Sequence, residues 1–418
     1  MPPLHRRSPP CAVGIALAAV ATAFAGPSWA DPAPAFASLL DRLGQTPGLI
    51  EADAVGEAAQ ARARQARARP NPTLSLEAEN AFGDGPFAGY GAAETTLSVS
   101  QDLELWGRRG ARIGAAGAEA QAAALERDLA GIDAAGRLAL TYAQAEAAAR
   151  RADLAQEALT LAVADARAAL ALVEKGREPM LRGIQAESEA ATARAALEEA
   201  QAERAAAFAR LTAVALLPRP VTAIPESLLD QTVEWGEPSL SVSPAVRVAQ
   251  ARRMAAERRI AVERTAARPD VTASLGLRRF EAENATALTF GVSLPLPLFD
   301  RNRGNIDAAR AEHRAADARL AQARLDEHAD RAAALARLSA SASRVSAADA
   351  GVAAGDEAYR LSRIGFDAGR ISQLELRTSR AALIAARNAA VDARLARVRA
   401  EIDLARLDGR APFQGRRP

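Results

Sequence analysis

The sequence is poor in the residues from which most chemistry and most globular cores are made. It holds 1 cysteine, 3 histidines, 3 methionines and 3 tryptophans, and aromatic residues are only 4% of 418 positions. A single cysteine, Cys11, excludes a disulfide framework. His313 and His328 lie 15 residues apart, which excludes an i, i+4 ligand pair, and His5 is near the N-terminus. Met180 and Met254 are isolated, so there is no soft-metal ladder. No Ser/His/Asp set, phosphate loop or paired-carboxylate cleft is visible, which argues against an enzyme, and no cofactor is expected. The bulk of the chain is Ala, Arg, Leu and Glu, a composition suited to long helices packed through small side chains.

Charge of one sign is also lacking. Residues 1–30 have the form of a secretory signal: Arg6 and Arg7 precede an apolar run from Cys11 to Ala25, and Ser28-Trp29-Ala30 supplies small residues for cleavage. The run is too short for a membrane anchor. Cys11 follows Ser8-Pro9-Pro10 instead of a lipobox, so no lipid attachment is expected. Removing Arg6 and Arg7 takes the 53 basic residues to 51, equal to the 51 acidic ones, and nucleic acid is not an expected partner. Beyond residue 30 no apolar run approaches the roughly 20 residues of a membrane helix, so any membrane crossing must use strands.

What is present is a duplication. Glu94 to Gly110 returns in altered form as Ala287 to Gly304; at an offset of 193, Leu97 matches Phe290, Val99 matches Val292 and Arg108 matches Arg301. Gly176-Arg177 and Leu181 match Gly369-Arg370 and Leu374 at the same offset, so the 68-residue spacing from Arg108 to Gly176 is repeated from Arg301 to Gly369. A long spacing kept constant indicates a rigid rod. At 1.5 Å per residue it is on the order of 100 Å long. The expected layout is a signal at 1–30, a first repeat at 31–217, a Pro-containing linker at 218–242, a second repeat at 243–408 and a basic tail at 409–418. Thr46-Pro47 and Ser243-Pro244 open the helices that feed each repeat. Rods with return helices cover 108–215 and 301–407, with a capping box at Ser372 and Glu375.

Two hairpins, about 71–106 and 270–299, alternate strictly. Leu74, Leu76, Leu97, Val99, Leu103, Val271, Leu275, Phe290 and Val292 form an apolar set expected to face lipid. Glu77, Glu79, Ser98, Ser100, Asp102, Glu104, Ser274 and Ser293 form a polar set expected to face a lumen, where the acids would favour cations through their field. Pro295 and Pro297 predict that the ladder ends near Ser293. Four strands cannot close a membrane barrel, so the wall must be shared between protomers. Hairpins lying as soluble caps on a secreted periplasmic coiled-coil scaffold are the competing reading.

Asn71-Pro72, Glu79-Asn80, Glu94-Thr-Thr-Leu-Ser-Val-Ser-Gln101, Leu103-Glu-Leu105 with Arg109-Gly-Ala-Arg112, and Phe290-Gly-Val-Ser-Leu-Pro-Leu-Pro-Leu-Phe-Asp-Arg-Asn-Arg-Gly-Asn305 resemble the TolC family of outer-membrane efflux channels. The match is nearest to the cobalt-zinc-cadmium branch that serves heavy-metal resistance-nodulation-division (RND) pumps. The resemblance implies a mainly α fold with a four-strand membrane part, assembled as a homotrimer with a 12-stranded β-barrel on an α-helical barrel. It implies a non-enzymatic exit duct in the Gram-negative outer membrane, reaching into the periplasm, partnered by a periplasmic adaptor and an inner-membrane RND pump. Divalent heavy-metal cations are the implied cargo; drug efflux and protein secretion are the alternatives within the class. It also implies adaptor contact at the turns between helices, Gly176, Arg177 and Leu181 in one repeat and Gly369, Arg370 and Leu374 in the other.

Overall fold

The computed structural model describes residues 31–231 and 242–413. The expected signal, Pro238 with its neighbours in the linker, and the end of the basic tail lie outside the described residues. In chain order the elements are β1 (Asp31–Pro32), α1 (Phe36–Asp41), α2 (Pro47–Gln65), β2 (Thr73–Glu79), β3 (Glu94–Asp102), α3 (Arg108–Glu174), α4 (Met180–Val214), β4 (Val221–Ala223), α5 (Pro244–Ala266), β5 (Thr272–Phe280), β6 (Ala285–Ser293), α6 (Arg303–Asp367) and α7 (Gln373–Leu407). The order helix, hairpin, long helix, return helix occurs twice.

The long helices α3 and α6 have 67 and 65 residues, so each is about 100 Å long. Neither contains proline, and their Ala-rich sequences cost little side-chain entropy in a helix. Each begins after a left-handed residue, Gly107 at φ 76° and Asn302 at φ 55°, which turns the strand direction into the helix axis. Helices α2 and α4 pack along α3, and α5 and α7 pack along α6; α5 and α7 also contact α3 and so join the repeats. Glycine permits close helix–helix approach at several points; a Cβ added at Gly183 would lie 3.0 Å from Leu170. A Cβ added at Gly136 would lie 3.3 Å from Ile402, and one at Gly355 would lie 3.4 Å from the Leu383 backbone.

Polar contacts reinforce the junction between repeats. Arg380, Arg387 and Arg394 recur every seven residues on α7. Arg380 pairs with Asp165 of α3; Arg387 reaches Glu157 of α3 and Asp356 of α6; Arg394 reaches Asp230 and Asp349.

Most of the largest fully buried side chains are gathered at one level of the rods. Phe36, Leu39, Leu138, Tyr142, Leu211, Leu228, Leu229 and Val398 are buried together around the middle of α3. This cluster is closed from outside by the N-terminal segment and by residues 221–231, which meet through the parallel β1–β4 pair. Tyr142 donates its hydroxyl to the Glu226 carbonyl (3.0 Å), and the Phe36 amide donates to the Glu226 carboxylate (2.8 Å). Glu146, also buried, accepts from the Leu228 amide (2.8 Å), the Leu229 amide (3.1 Å), Ser227 (2.6 Å) and Arg150 (2.6 Å). Arg397 donates to the Leu229 and Gln231 carbonyls, both at 2.7 Å. A compact core therefore exists, as a collar, where composition alone suggested only small-residue packing.

The predicted helix starts hold, but the caps differ. The Ser243 hydroxyl accepts from the Val246 amide (3.4 Å), whereas Thr46 donates to the Leu43 carbonyl behind it (2.7 Å) and caps nothing. The capping box at Ser372 and Glu375 is formed.

Candidate functional site

Two regions carry the candidate function: the sheet at one end of the rods and the turns at the other. The hairpins join in one antiparallel sheet of order β2-β3-β5-β6, with β2 and β6 as open edges. The register follows from the period-two pattern, because a slip of one residue would invert every side chain. It aligns Leu74, Val99, Leu275 and Phe290 in one row and Leu76, Leu97, Leu277 and Leu288 in the next. Both rows are uncovered, from 45% exposed at Leu97 to 85% at Phe290, so the apolar face is not laid against the chain's own helices.

The opposite face has rows Thr73, Ser100, Ser274, Gly291 and Ser75, Ser98, Gly276, Thr289. Small side chains are required here. A Cβ at Gly276 would lie 2.7 Å from the Leu97 carbonyl oxygen and 2.8 Å from the Ser98 Cβ, and one at Gly291 would lie 2.8 Å from the Ser274 hydroxyl. The polar residues Glu77, Glu79, Ser98, Ser100, Asp102, Ser274 and Ser293 fall on this face by register, and Leu74, Leu76, Leu97, Val99, Leu275, Phe290 and Val292 fall on the other. Leu103 and Val271 lie just beyond the strands, joined by a hydrogen bond from the Leu103 amide to the Val271 carbonyl (2.8 Å).

Glu104 corrects the sequence reading. Strand β3 ends at Asp102, and Glu104 turns to pair with Arg112 at the start of α3, so it is not a wall residue of the sheet. The acids of the polar face are also less exposed electrostatically than their sequence suggested. Arg278 donates to Glu79 (2.8 Å), Glu94 (3.0 Å) and Thr96 (2.9 Å), and Asp102 accepts from Thr272 (2.6 Å). Arg278 had no role assigned from sequence; its partners are brought together by the register of three strands, which spacing along the chain does not reveal. Strand β6 ends at Ser293, ahead of Pro295 and Pro297.

At the far end, both turns have one geometry. Gly176 and Gly369 have φ of +66° and +67°. The Gly176 amide donates to the Val173 carbonyl (2.9 Å) and the Arg177 amide to that of Leu172 (2.9 Å); Gly369 and Arg370 do the same to Phe366 (2.9 Å) and Gly365 (2.8 Å). This is the Schellman arrangement, in which glycine accepts the left-handed backbone and the next amide reaches the carbonyl five residues back. The Arg177 and Arg370 side chains are not needed for it. Leu181 and Leu374, each the second residue of a return helix, are 63% and 62% exposed. Near these tips the Glu375 carboxylate is held by the Ser372 amide (2.7 Å) and Glu178 lies 3.7 Å from Arg182, so neither is an isolated charge at the turns.

Among the described residues no helix is long and apolar enough to cross a membrane, and no group of three His, Cys, Asp or Glu side chains could hold a metal ion.

The model of a family described as "Outer membrane efflux protein" matches residues 41–215 and 235–410. The chain is 40% identical over 343 residues to the nickel-cobalt-cadmium resistance protein NccC of Alcaligenes xylosoxydans xylosoxydans, covering 81% of this chain and 77% of that one. It is 39% identical over 315 residues to the nickel and cobalt resistance protein CnrC of Cupriavidus metallidurans, covering 75% of each. Among solved structures, CusC, described in terms of transmembrane channel formation, superposes with a TM-score of 0.75 at 22% identity, covering 88% of this chain and 91% of that one.

Proposed function

The chain belongs to the outer membrane efflux protein family, and from that membership we propose that it is the homotrimeric exit duct of a tripartite system, fed by an inner-membrane RND pump through a periplasmic adaptor. The observation that carries this reading is the pair of unbroken apolar rows across four strands, uncovered on one face and open at both edges, set on rods about 100 Å long.

Magnitudes favour a barrel shared between copies. Each apolar side chain moved from water into lipid gains roughly 1.5–3 kcal/mol, so the nine large ones on this face gain on the order of 20 kcal/mol. The two open edges would leave roughly 16 backbone groups unbonded in lipid at several kcal/mol each, a larger cost. Four strands alone therefore stay out of the bilayer. Three copies closed into 12 strands remove the edges and keep the gain.

The polar face then lines the lumen. No step of chemistry is required of the chain, and the energy comes from the pump. Divalent heavy-metal cations are the proposed cargo, supported by the resistance proteins to which the chain is similar at 39–40% identity. Partial neutralisation of the acids on the polar face by Arg278 supports a reading in which the pump selects the cargo. A chain lacking Leu97 to Leu105 should lose carbonate-resistant membrane association and resistance together; retention of both sinks the barrel. Growth of a deletion strain on nickel, cobalt, cadmium and zinc beside a panel of drugs tests the cargo. Sensitivity to drugs alone would refute the metal assignment.

A further inference from the structure

Where the sheet meets the rods the chain carries arginines that neither the walls nor the tips use. Between residues 58 and 71 there are four arginines and no acidic residue, in a chain whose charges otherwise balance. Arg62, Arg67 and Arg69 there, Arg268 at the equivalent place in the second repeat, and Arg301 and Arg303 at the opening of α6 are all exposed.

Hydrogen bonds fix their level. The Gln101 side chain donates to the Pro70 carbonyl (3.0 Å), Arg109 donates to the Arg67 carbonyl (2.7 Å), and the Leu103 amide donates to Val271. Arg69 and Arg268 therefore stand beside the segment from Glu104 to Trp106. That is where the exposed apolar surface stops: Leu294, Leu296 and Leu298 continue it below the strands, and it ends on Trp106, 53% exposed, and Phe299, 99% exposed. Two grooves open at this level. One, of about 500 Å³, is lined by Arg62, Arg69 and Arg112 with Ala66, Ala68 and Ala116; the other, of about 430 Å³, is lined by Phe299, Arg301 and Arg303 together with Asp300, whose carboxylate accepts from the Asn302 amide (2.8 Å).

Helix dipoles do not explain the placement. Arg62 in the last turn of α2 suits a C-terminus, but Arg303 is the first residue of α6, where a cation meets the positive end of the helix. A row of cations directly beneath an aromatic boundary fits an anionic surface lying in the plane of that boundary.

We propose that this belt of arginines binds the anionic phospholipid headgroups of the membrane leaflet on the helix side of the sheet. The proposal rests on the apolar face lying in lipid, as argued above. Long guanidinium side chains reach phosphate bidentately while their stems lie along the apolar rim.

The test reconstitutes the full chain in nanodiscs of phosphatidylcholine mixed with phosphatidylglycerol and measures retained lipid by native mass spectrometry. The unaltered chain should enrich phosphatidylglycerol at least about fivefold, the factor one engaged arginine supplies. Replacing Arg67, Arg69, Arg268, Arg301 and Arg303 by Gln should abolish enrichment, while the same change at five exposed rod arginines, Arg167, Arg194, Arg210, Arg344 and Arg363, should leave it. Should the fivefold variant fail to assemble, Arg301→Gln with Arg303→Gln should reduce enrichment by about half. Equal enrichment in arginine-belt and rod variants overturns the proposal, as does its loss on adding millimolar inorganic phosphate, which would identify a free-anion site. A chain that never inserts and is released by carbonate refutes the duct instead.

Discussion

Gly176 and Gly369, 193 residues apart, occupy the same left-handed backbone position, φ +66° and +67°, in turns with the same pair of hydrogen bonds. The duplication thus reaches down to dihedral angles at the tips, and it separates the glycines, which shape the turn, from Arg177 and Arg370, whose side chains the turn leaves available.

Replacing both glycines by Ala should cost about 1–2 kcal/mol per site, because a Cβ is disfavoured at positive φ. The expected outcome is faster amide exchange confined to the turns, with little change at the collar. Replacing Arg177 and Arg370 by Glu should leave exchange unaltered and weaken crosslinking to the adaptor. Unchanged crosslinking removes these side chains from the proposed contact.

Leu97 and Ser98 are neighbours in sequence on opposite faces of β3. Leu97→Arg should cost about 2–4 kcal/mol near the middle of a lipid-facing wall and lower the yield of membrane-inserted protein severalfold. Ser98→Arg should insert normally and instead reduce conductance of the reconstituted channel. The reverse pattern would mean that the faces are assigned the wrong way round.

The collar depends on Glu146, whose carboxylate holds two amides of residues 221–231. Glu146→Ala leaves both donors buried and Arg150 deprived of one partner, and should destabilise the chain by about 3–5 kcal/mol in chemical denaturation. Leu228→Ala, at a fully buried position, should cost about 2–5 kcal/mol through the cavity it leaves. If neither variant lowers the denaturation midpoint, the collar does not stabilise the fold.

Asp230 gives the collar a pH limit. Its hydrogen bond from Arg150 holds its carboxyl below the ordinary value of 3.8, against the opposing effect of partial burial. A depressed folded-state value means that the contribution is complete above the unfolded-state value and is lost as pH falls below it. Stability of the parent chain should fall more steeply below about pH 4 than that of Asp230→Asn; parallel curves would show that the pairing does not contribute.

The seven-residue ladder on α7 predicts salt dependence. Each of these part-buried pairs contributes about 0.2–1 kcal/mol and is weakened by salt, whose Debye length is about 10 Å at 0.1 M. Changing Arg380, Arg387 and Arg394 to Gln should lower stability by about 1–3 kcal/mol and flatten the dependence of the denaturation midpoint on salt.

By itself the sequence determined the duplication, the element types, the strand faces and the place where the ladder stops. These are local or periodic properties: alternation of two, Ala-rich runs without proline, glycine at the turns and Pro295 after Ser293 are written along the chain. Tertiary structure alone decided which distant groups meet. Arg278 joins Glu79 and Glu94 because three strands align, Glu104 leaves the wall because α3 brings Arg112 beside it, and residues 221–231 become a collar because Glu146 and Arg397 hold their amides and carbonyls. Each of these contacts spans from a few residues to nearly 200, and its energy depends on desolvation and on hydrogen bonds between groups that only the folded chain brings within reach.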